Sequence, residues 1–179
     1  MGVLVAGFRN IDITKVGSKN IGATNVARAM GLRMALATGV LDLLKGWVPV
    51  IVAHEVMDSP WGVSFVAAAA VTGHCASIFL DFKGGKGVAT SAGVFLALVP
   101  IPTLATAGVW VGVMAWSRVS SLSALVALPV LLLGLFVSGS TGTQWVPLAL
   151  FIMGLVLWRH RDNIENLRKG SERKFLGTD

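Results

Sequence analysis

The sequence predicts an all-α, polytopic integral membrane helix bundle, and three observations carry that prediction. First, 54% of the 179 residues are hydrophobic and only 13% are charged, about half the charged share of a soluble domain; the mean hydropathy is +0.74. Second, long segments with few or no charges alternate with short polar clusters. Third, Lys and Arg gather on alternate connections, as the positive-inside rule requires of a chain that crosses a bilayer repeatedly. The net charge of +6 therefore orients the chain in a membrane and attracts anionic lipid; it does not point to nucleic acid. No heptad run, long linker or composition shift divides the chain, so residues 1–179 read as one membrane-embedded domain.

Met1 to Phe8 is apolar but too short to cross a bilayer and lacks the basic start of a signal peptide. It reads as the remnant of a helix whose earlier part lies upstream. Six crossings follow. Met34 to Ala53 is the first, interrupted by Asp42 and Lys45, and the uncharged run Trp61 to Leu80 is the second. Val88 to Trp116 is uncharged and too long for one crossing. Pro100-Ile-Pro102 breaks it, giving crossings near 88–99 and 103–117 around a tight turn. Leu122 to Val137 and Gln144 to Trp158 complete the set. Small residues are abundant, with 21 Gly, and suit close helix packing in lipid.

Charge by connection tests this count. Loop 9–33 holds Arg9, Lys15, Lys19, Arg28 and Arg33; loop 81–87 holds Lys83 and Lys86; Arg118 lies in the next connection on that side; the tail from Arg159 holds six Lys and Arg residues. The opposite turns, 54–60, 100–102 and 138–143, contain no Lys or Arg. Every basic residue outside a span thus falls on one face, which the rule makes cytoplasmic. Trp61, Trp116, Trp145 and Trp158 stand at span ends, where amphipathic rings settle.

Three polar clusters on that face combine basic groups with small or amide side chains. The first holds Gly17, Ser18, Asn20, Gly22, Thr24, Asn25 and Arg28. Glycines let backbone N–H groups approach an anion, hydroxyls and amides donate to it, and Arg grips it with a planar fork. The plainer reading is a polar loop in which Thr24 or Asn25 caps a helix. The second, Lys83-Gly84-Gly85-Lys86-Gly87, precedes an apolar helix and resembles a phosphate loop, since helix N-termini attract anions. It is not a Walker A loop: Asp81 stands five before Lys86 and Gly87 follows it. The plainer reading is a positive-inside turn. In the third, His160 and Asn163 share a face if the last helix continues; His160 can act as acid, base or phosphate donor, or the segment can simply lie on lipid headgroups.

Elsewhere, Asp42 and Lys45 are spaced i, i+3 and can pair inside a span, where a lone charge would cost about 2.5–3.5 kcal/mol. Cys75, beside His74, reads as a small buried residue and not a nucleophile. No His, Cys and carboxylate set has metal-ligand spacing, and no nucleotide fingerprint is present.

These clusters, in this order, resemble the three motifs of the bacterial acyl-phosphate:glycerol-3-phosphate acyltransferase family (PlsY). The matching residues are Gly17-Ser-Lys-Asn-Ile-Gly-Ala-Thr-Asn25 with Arg28, Gly73-His74 leading to Phe82-Lys-Gly-Gly-Lys-Gly-Val-Ala-Thr90, and Arg159-His-Arg-Asp-Asn-Ile164 with Gly170 and Glu172; Leu41-Asp-Leu-Leu-Lys-Gly46 also fits. The resemblance implies a seven-helix fold and transfer of an acyl chain from acyl phosphate to the sn-1 hydroxyl of glycerol 3-phosphate, giving lysophosphatidic acid and phosphate, with no cofactor. It implies functional roles for Ser18 and Arg28, a phosphate loop of Lys86 with Gly84, Gly85 and Gly87, site roles for His160 and Asn163, and a structural one for Glu172. Three departures stand out: most of the first helix is absent, Lys19 replaces a common Gly, and Ala76-Ser77 replaces a common aromatic-Pro. The His-x4-Asp motif of other glycerolipid acyltransferases is missing, since Asp81 is seven beyond His74.

Acyl phosphate is already an activated mixed anhydride. A protein that holds two anionic groups together and aims a hydroxyl at the carbonyl can gain about 7–11 kcal/mol from proximity. The base is either His160 or a substrate phosphate. The competing reading is a small transporter or flippase for a phosphorylated solute, for which only Asp42 and Lys45 supply polar groups within a span.

Overall fold

The computed structural model describes residues 1–140, 142 and 144–175. Among these residues all regular structure is helical. The helices are α1 (Gly2–Gly7), α2 (Ala23–Met30), α3 (Leu32–Val56), α4 (Pro60–Cys75), α5 (Val88–Leu98), α6 (Pro100–Ser117), α7 (Ser120–Val137), α8 (Trp145–Arg159) and α9 (Arg161–Arg168), with one 3-10 turn at Ile78–Leu80. The protein is an all-α membrane protein. Leu32–Val56, Pro60–Leu80 and Ser120–Val137 are long and apolar enough to cross a bilayer, and Val88–Leu98 and Trp145–Arg159 are shorter apolar helices.

Helices α3 to α8 occupy the six places that the sequence marks, and α1 occupies the short apolar start. Three local expectations need correction. The second apolar run is helical only to Cys75. To continue, the His74 carbonyl would have to accept from the N–H four residues on; it accepts instead from the Gly85 N–H, at 3.0 Å. The break between α5 and α6 falls at Val99, and Pro100 opens α6. Proline is at ease there, because a first-turn N–H has no acceptor within the helix. Finally, neither Thr24 nor Asn25 caps α2; Gly22 does, its carbonyl accepting from Val26 N–H at 3.2 Å. The 138–143 turn is described only in part: Thr141 and Thr143 lie outside the described residues.

The main core joins Val50 and Ala53 of α3, Val63, Ala67 and Val71 of α4, Val94 and Phe95 of α5, Leu131 and Leu135 of α7, and Ile152 and Val156 of α8. Helices α3 and α5 pack closely at two glycines. A Cβ at Gly46 would stand 2.2 Å from the Thr90 carbonyl oxygen, and one at Gly93 would stand 2.0 Å from that of Leu43. Such contact lets backbones meet where lipid provides no hydrophobic drive. A smaller core of Ala6, Ile13, Ile21 and Val26 seats α1 and α2 over the loop between them. Leu36, Val40, Leu44, Val48 and Val52 leave an apolar outer face on α3.

Candidate active site

Loop 10–22 is organised by one side chain. Asn25 is 1% exposed. Its amide nitrogen donates to the carbonyls of Val16 and Asn20, both at 2.9 Å, and Ile13 at 3.3 Å, and its oxygen accepts from the Ser18 N–H at 2.9 Å. A Cβ at Gly17 would stand 2.4 Å from that oxygen, and Gly17 has φ +59°, so glycine fits both the space and the backbone. Asn20 accepts from the Gly22 N–H at 2.9 Å, and Thr24 shares a hydrogen bond with Ser120 at 2.9 Å. Lys19, where the resemblance expects Gly, also takes a left-handed conformation, φ +58°. Ser18 is exposed, and its hydroxyl has no hydrogen-bond partner among the described residues.

The glycine loop is clamped from both sides. On one side Gly85 N–H bonds to the His74 carbonyl, and a Cβ at Gly85 would stand 2.1 Å from His74 Nε2. On the other, Arg159 donates to the carbonyls of Gly84 at 2.6 Å and Gly85 at 3.0 Å. Gly87 caps α5 with φ +86°. The N–H groups of the α5 first turn have no acceptor inside their helix. Behind the loop, His74 Nδ1 lies 3.1 Å from Thr90 Oγ1 and 3.6 Å from Asp42 Oδ1. Asp42 pairs with Lys45 at 2.7 Å, as their spacing predicts, and with the Met1 amine at 2.9 Å. The charges inside α3 thus back the glycine loop.

Three distant segments converge on Lys86. Its ammonium donates to Asn163 Oδ1 at 2.6 Å. Asn163 donates to Glu172 Oε1 at 2.6 Å, and Ser121 donates to the same oxygen at 2.7 Å. Burial pushes the Lys86 pKa down from the usual lysine range; Glu172 opposes that shift and Arg28 adds to it. Lys83 stays exposed, with no ion pair among the described residues.

Arg28 is engaged by the tail. Its guanidinium donates to the carbonyl of Arg173 at 3.0 Å and twice to that of Lys174, at 2.9 and 3.1 Å. Phe175 N–H bonds to the Arg118 carbonyl at 2.7 Å. The segment after α9, which carries Glu172, is therefore a strap across α2 and the α6–α7 connection.

At His160 the chain turns from α8 into α9, with φ −100° and ψ 7°. The side chain is 2% exposed, and Nδ1 lies 2.8 Å from the Val156 carbonyl. A carbonyl only accepts, so Nδ1 carries the proton and Nε2 is bare. Burial, reinforced by the charge of Lys86, pulls the His160 pKa down to about 4.

Of the residues singled out in the sequence, Lys86, Asn163, Glu172, Arg28 and His160 are thus joined by contact or by charge. Arg159 and Ser121 had no expected role, although both hold the site in shape. Arg159 lay in view inside the third cluster; nothing marked Ser121.

The geometry agrees with relationships across the whole chain. The family profile described as "Glycerol-3-phosphate acyltransferase" matches residues 1–170. The glycerol-3-phosphate acyltransferase of Rubrobacter xylanophilus is 44% identical, over 98% of this chain and 88% of its own. That of Solidesulfovibrio magneticus is 48% identical, over 93% and 83% respectively. Crystal structures of PlsY (YgiH), an integral membrane glycerol 3-phosphate acyltransferase, in its glycerol 3-phosphate and lysophosphatidic acid forms superimpose with TM-scores of 0.91 and 0.90 at 39% identity, covering 97% of this chain and 86% and 87% of theirs. With the family profile matching residues 1–170 and relatives 44% and 48% identical over nearly all of this chain, the chain belongs to the glycerol-3-phosphate acyltransferase family.

Proposed function

We propose that this protein, acting as one unit over residues 1–179, transfers an acyl chain from acyl phosphate to the sn-1 hydroxyl of glycerol 3-phosphate, releasing lysophosphatidic acid and phosphate. The observation that carries the reading is the convergence of Lys86, Asn163 and Glu172 beside a clamped glycine loop in a chain of this family. The basic face is cytoplasmic, six crossings carry it, and the membrane is the plasma or inner membrane of a bacterial cell.

In the reaction, the acceptor oxygen bonds to the acyl carbonyl carbon, the bond from that carbon to the phosphate oxygen breaks, and the hydroxyl proton leaves. Lys86 and the first-turn N–H groups of α5 hold phosphate charge, with Ser18, Lys83 and Arg28 on its approach. Asn25, Asn20, Thr24 and Gly17 shape the first loop, and His74, Asp42 and Lys45 support the second. His160 is a poor base: its pKa near 4 gives little drive for taking a proton from an alcohol. A phosphate monoester, whose second pKa is about 6, accepts that proton better, so a substrate phosphate is the base. His160 holds the α8–α9 corner that presents Asn163.

The test is product formation by purified protein in vesicles with labelled glycerol 3-phosphate and acyl phosphate, with acyl-CoA in parallel. We expect lysophosphatidic acid from acyl phosphate alone. Transfer from acyl-CoA with acyl phosphate inert defeats the reading.

A further inference from the structure

Helix α4 stops beside the interior of α3, not beside its end. Its penultimate residue, His74, stands level with Asp42, 3.6 Å away. Asp42 lies about 15 Å along α3 from Leu32 at 1.5 Å per residue. By the same rise the 25 residues of α3 extend about 37 Å. Against a hydrocarbon core of about 30 Å, at most about 7 Å of α3 protrudes at that end. The helical part of α4 therefore ends at least about 8 Å inside the hydrocarbon.

The connection 76–83 fills that depth, and two features suit it to lipid. Its tip is apolar and faces outward: Ile78 is 70% exposed, Phe79 89% and Phe82 66%. Its backbone is bonded to itself in part, which lowers the cost of placing it in lipid. The Ser77 carbonyl accepts from both Leu80 N–H and Phe82 N–H, at 3.1 and 2.9 Å, and the Leu80 carbonyl from Lys83 N–H at 2.8 Å. Asp81 and Phe82 take left-handed conformations, φ 49° and 61°. That is a strained pair for residues with side chains, and it turns the chain from the apolar tip into Lys83 and the glycine loop.

We infer that Ile78–Phe82 is a re-entrant wedge whose partner is the lipid just beneath the headgroups of the leaflet that holds the glycine loop. Gly84 follows the wedge by two residues. An amphiphile entering sideways from the bilayer would then reach Lys86 without leaving the membrane.

Spin-label depth tests this without any assay of activity. Cys75→Ala removes the one cysteine, and a nitroxide is placed by Phe79→Cys. The references are Leu133→Cys, on the exposed face of α7, and Lys15→Cys, in the polar loop. In phosphatidylcholine vesicles with a minor share of phosphatidylglycerol, the ratio of collisions with oxygen to collisions with a nickel chelate is measured. A Phe79 site on the Leu133 side of the midpoint between the references supports the wedge; one on the Lys15 side overturns it. Should Cys75→Ala fail to fold, Phe79→Trp in the otherwise unchanged chain gives a second reading. The added fluorescence is quenched more by lipid brominated on its chains than by aqueous iodide if the wedge is in lipid, and the reverse overturns it.

Discussion

Lys86 faces Asn163, not Glu172: its ammonium is 2.6 Å from the amide oxygen, and the carboxylate lies on the far side of that amide. A neutral acceptor orients the lysine without cancelling its charge, which stays available for an anion. Lys86→Ala should therefore lower kcat/KM by roughly 10- to 100-fold, the scale of a lost charge-assisted hydrogen bond of about 1.5–3 kcal/mol. The chain should still insert, because Lys86 belongs to neither core. Steady-state kinetics with glycerol 3-phosphate checks this; near-wild-type values would reject Lys86 as a phosphate ligand.

Glu172 gathers two donors on one oxygen, Ser121 and Asn163. Glu172→Ala leaves both without that acceptor and should cost about 1–3 kcal/mol of stability, together with activity. Glu172→Gln keeps an acceptor oxygen and should recover most of the stability. Thermal unfolding of the two variants in one detergent separates them; equal losses would mean that the carboxylate charge, not the acceptor, matters.

The glycine loop has no room for a methyl group at its centre. A Cβ at Gly85 would lie 2.1 Å from His74 Nε2, whereas one at Gly154 has nothing within 4 Å. Gly85→Ala should displace the loop and abolish most activity. Gly154→Ala, inside α8, should be neutral or stabilising by up to about 1 kcal/mol. Expression, melting temperature and turnover of the pair give the comparison.

His160 makes stability pH-dependent in a defined direction. Its folded pKa, about 4, lies below the unfolded value of 6.5. Between these values the unfolded chain takes a proton that the folded chain refuses. The contribution is complete above pH 6.5 and is lost as pH falls toward 4, to a total of roughly 3 kcal/mol. His160→Gln should flatten the melting temperature over that window. An unchanged slope would show that other groups govern acid sensitivity.

What the sequence made legible was local. The Asp42–Lys45 pair follows from helical spacing, and the glycine loop, Lys86, His160 and Asn163 from short motifs. Contacts between distant segments were not legible. Nothing in a linear reading sets Arg159 on the carbonyls of Gly84 and Gly85, Ser121 on Glu172, or Arg28 on the backbone of residues 173 and 174. The end of α4 was hidden for another reason. Apolarity continues to Leu80, and lipid rewards a 3-10 turn and a helix alike, so hydropathy could not show where the helix stops.

The strap over Arg28 also fixes an order of events. Helices α3 to α8 all precede residues 172–175 in the chain, so the ribosome has delivered the whole bundle before Glu172 can meet Ser121 or Arg28 can meet its carbonyls. Insertion and assembly of the polar site are thus separated in time. Until residues 172–175 have been made, Ser121 has no Glu172 to meet and Arg28 has no strap to hold.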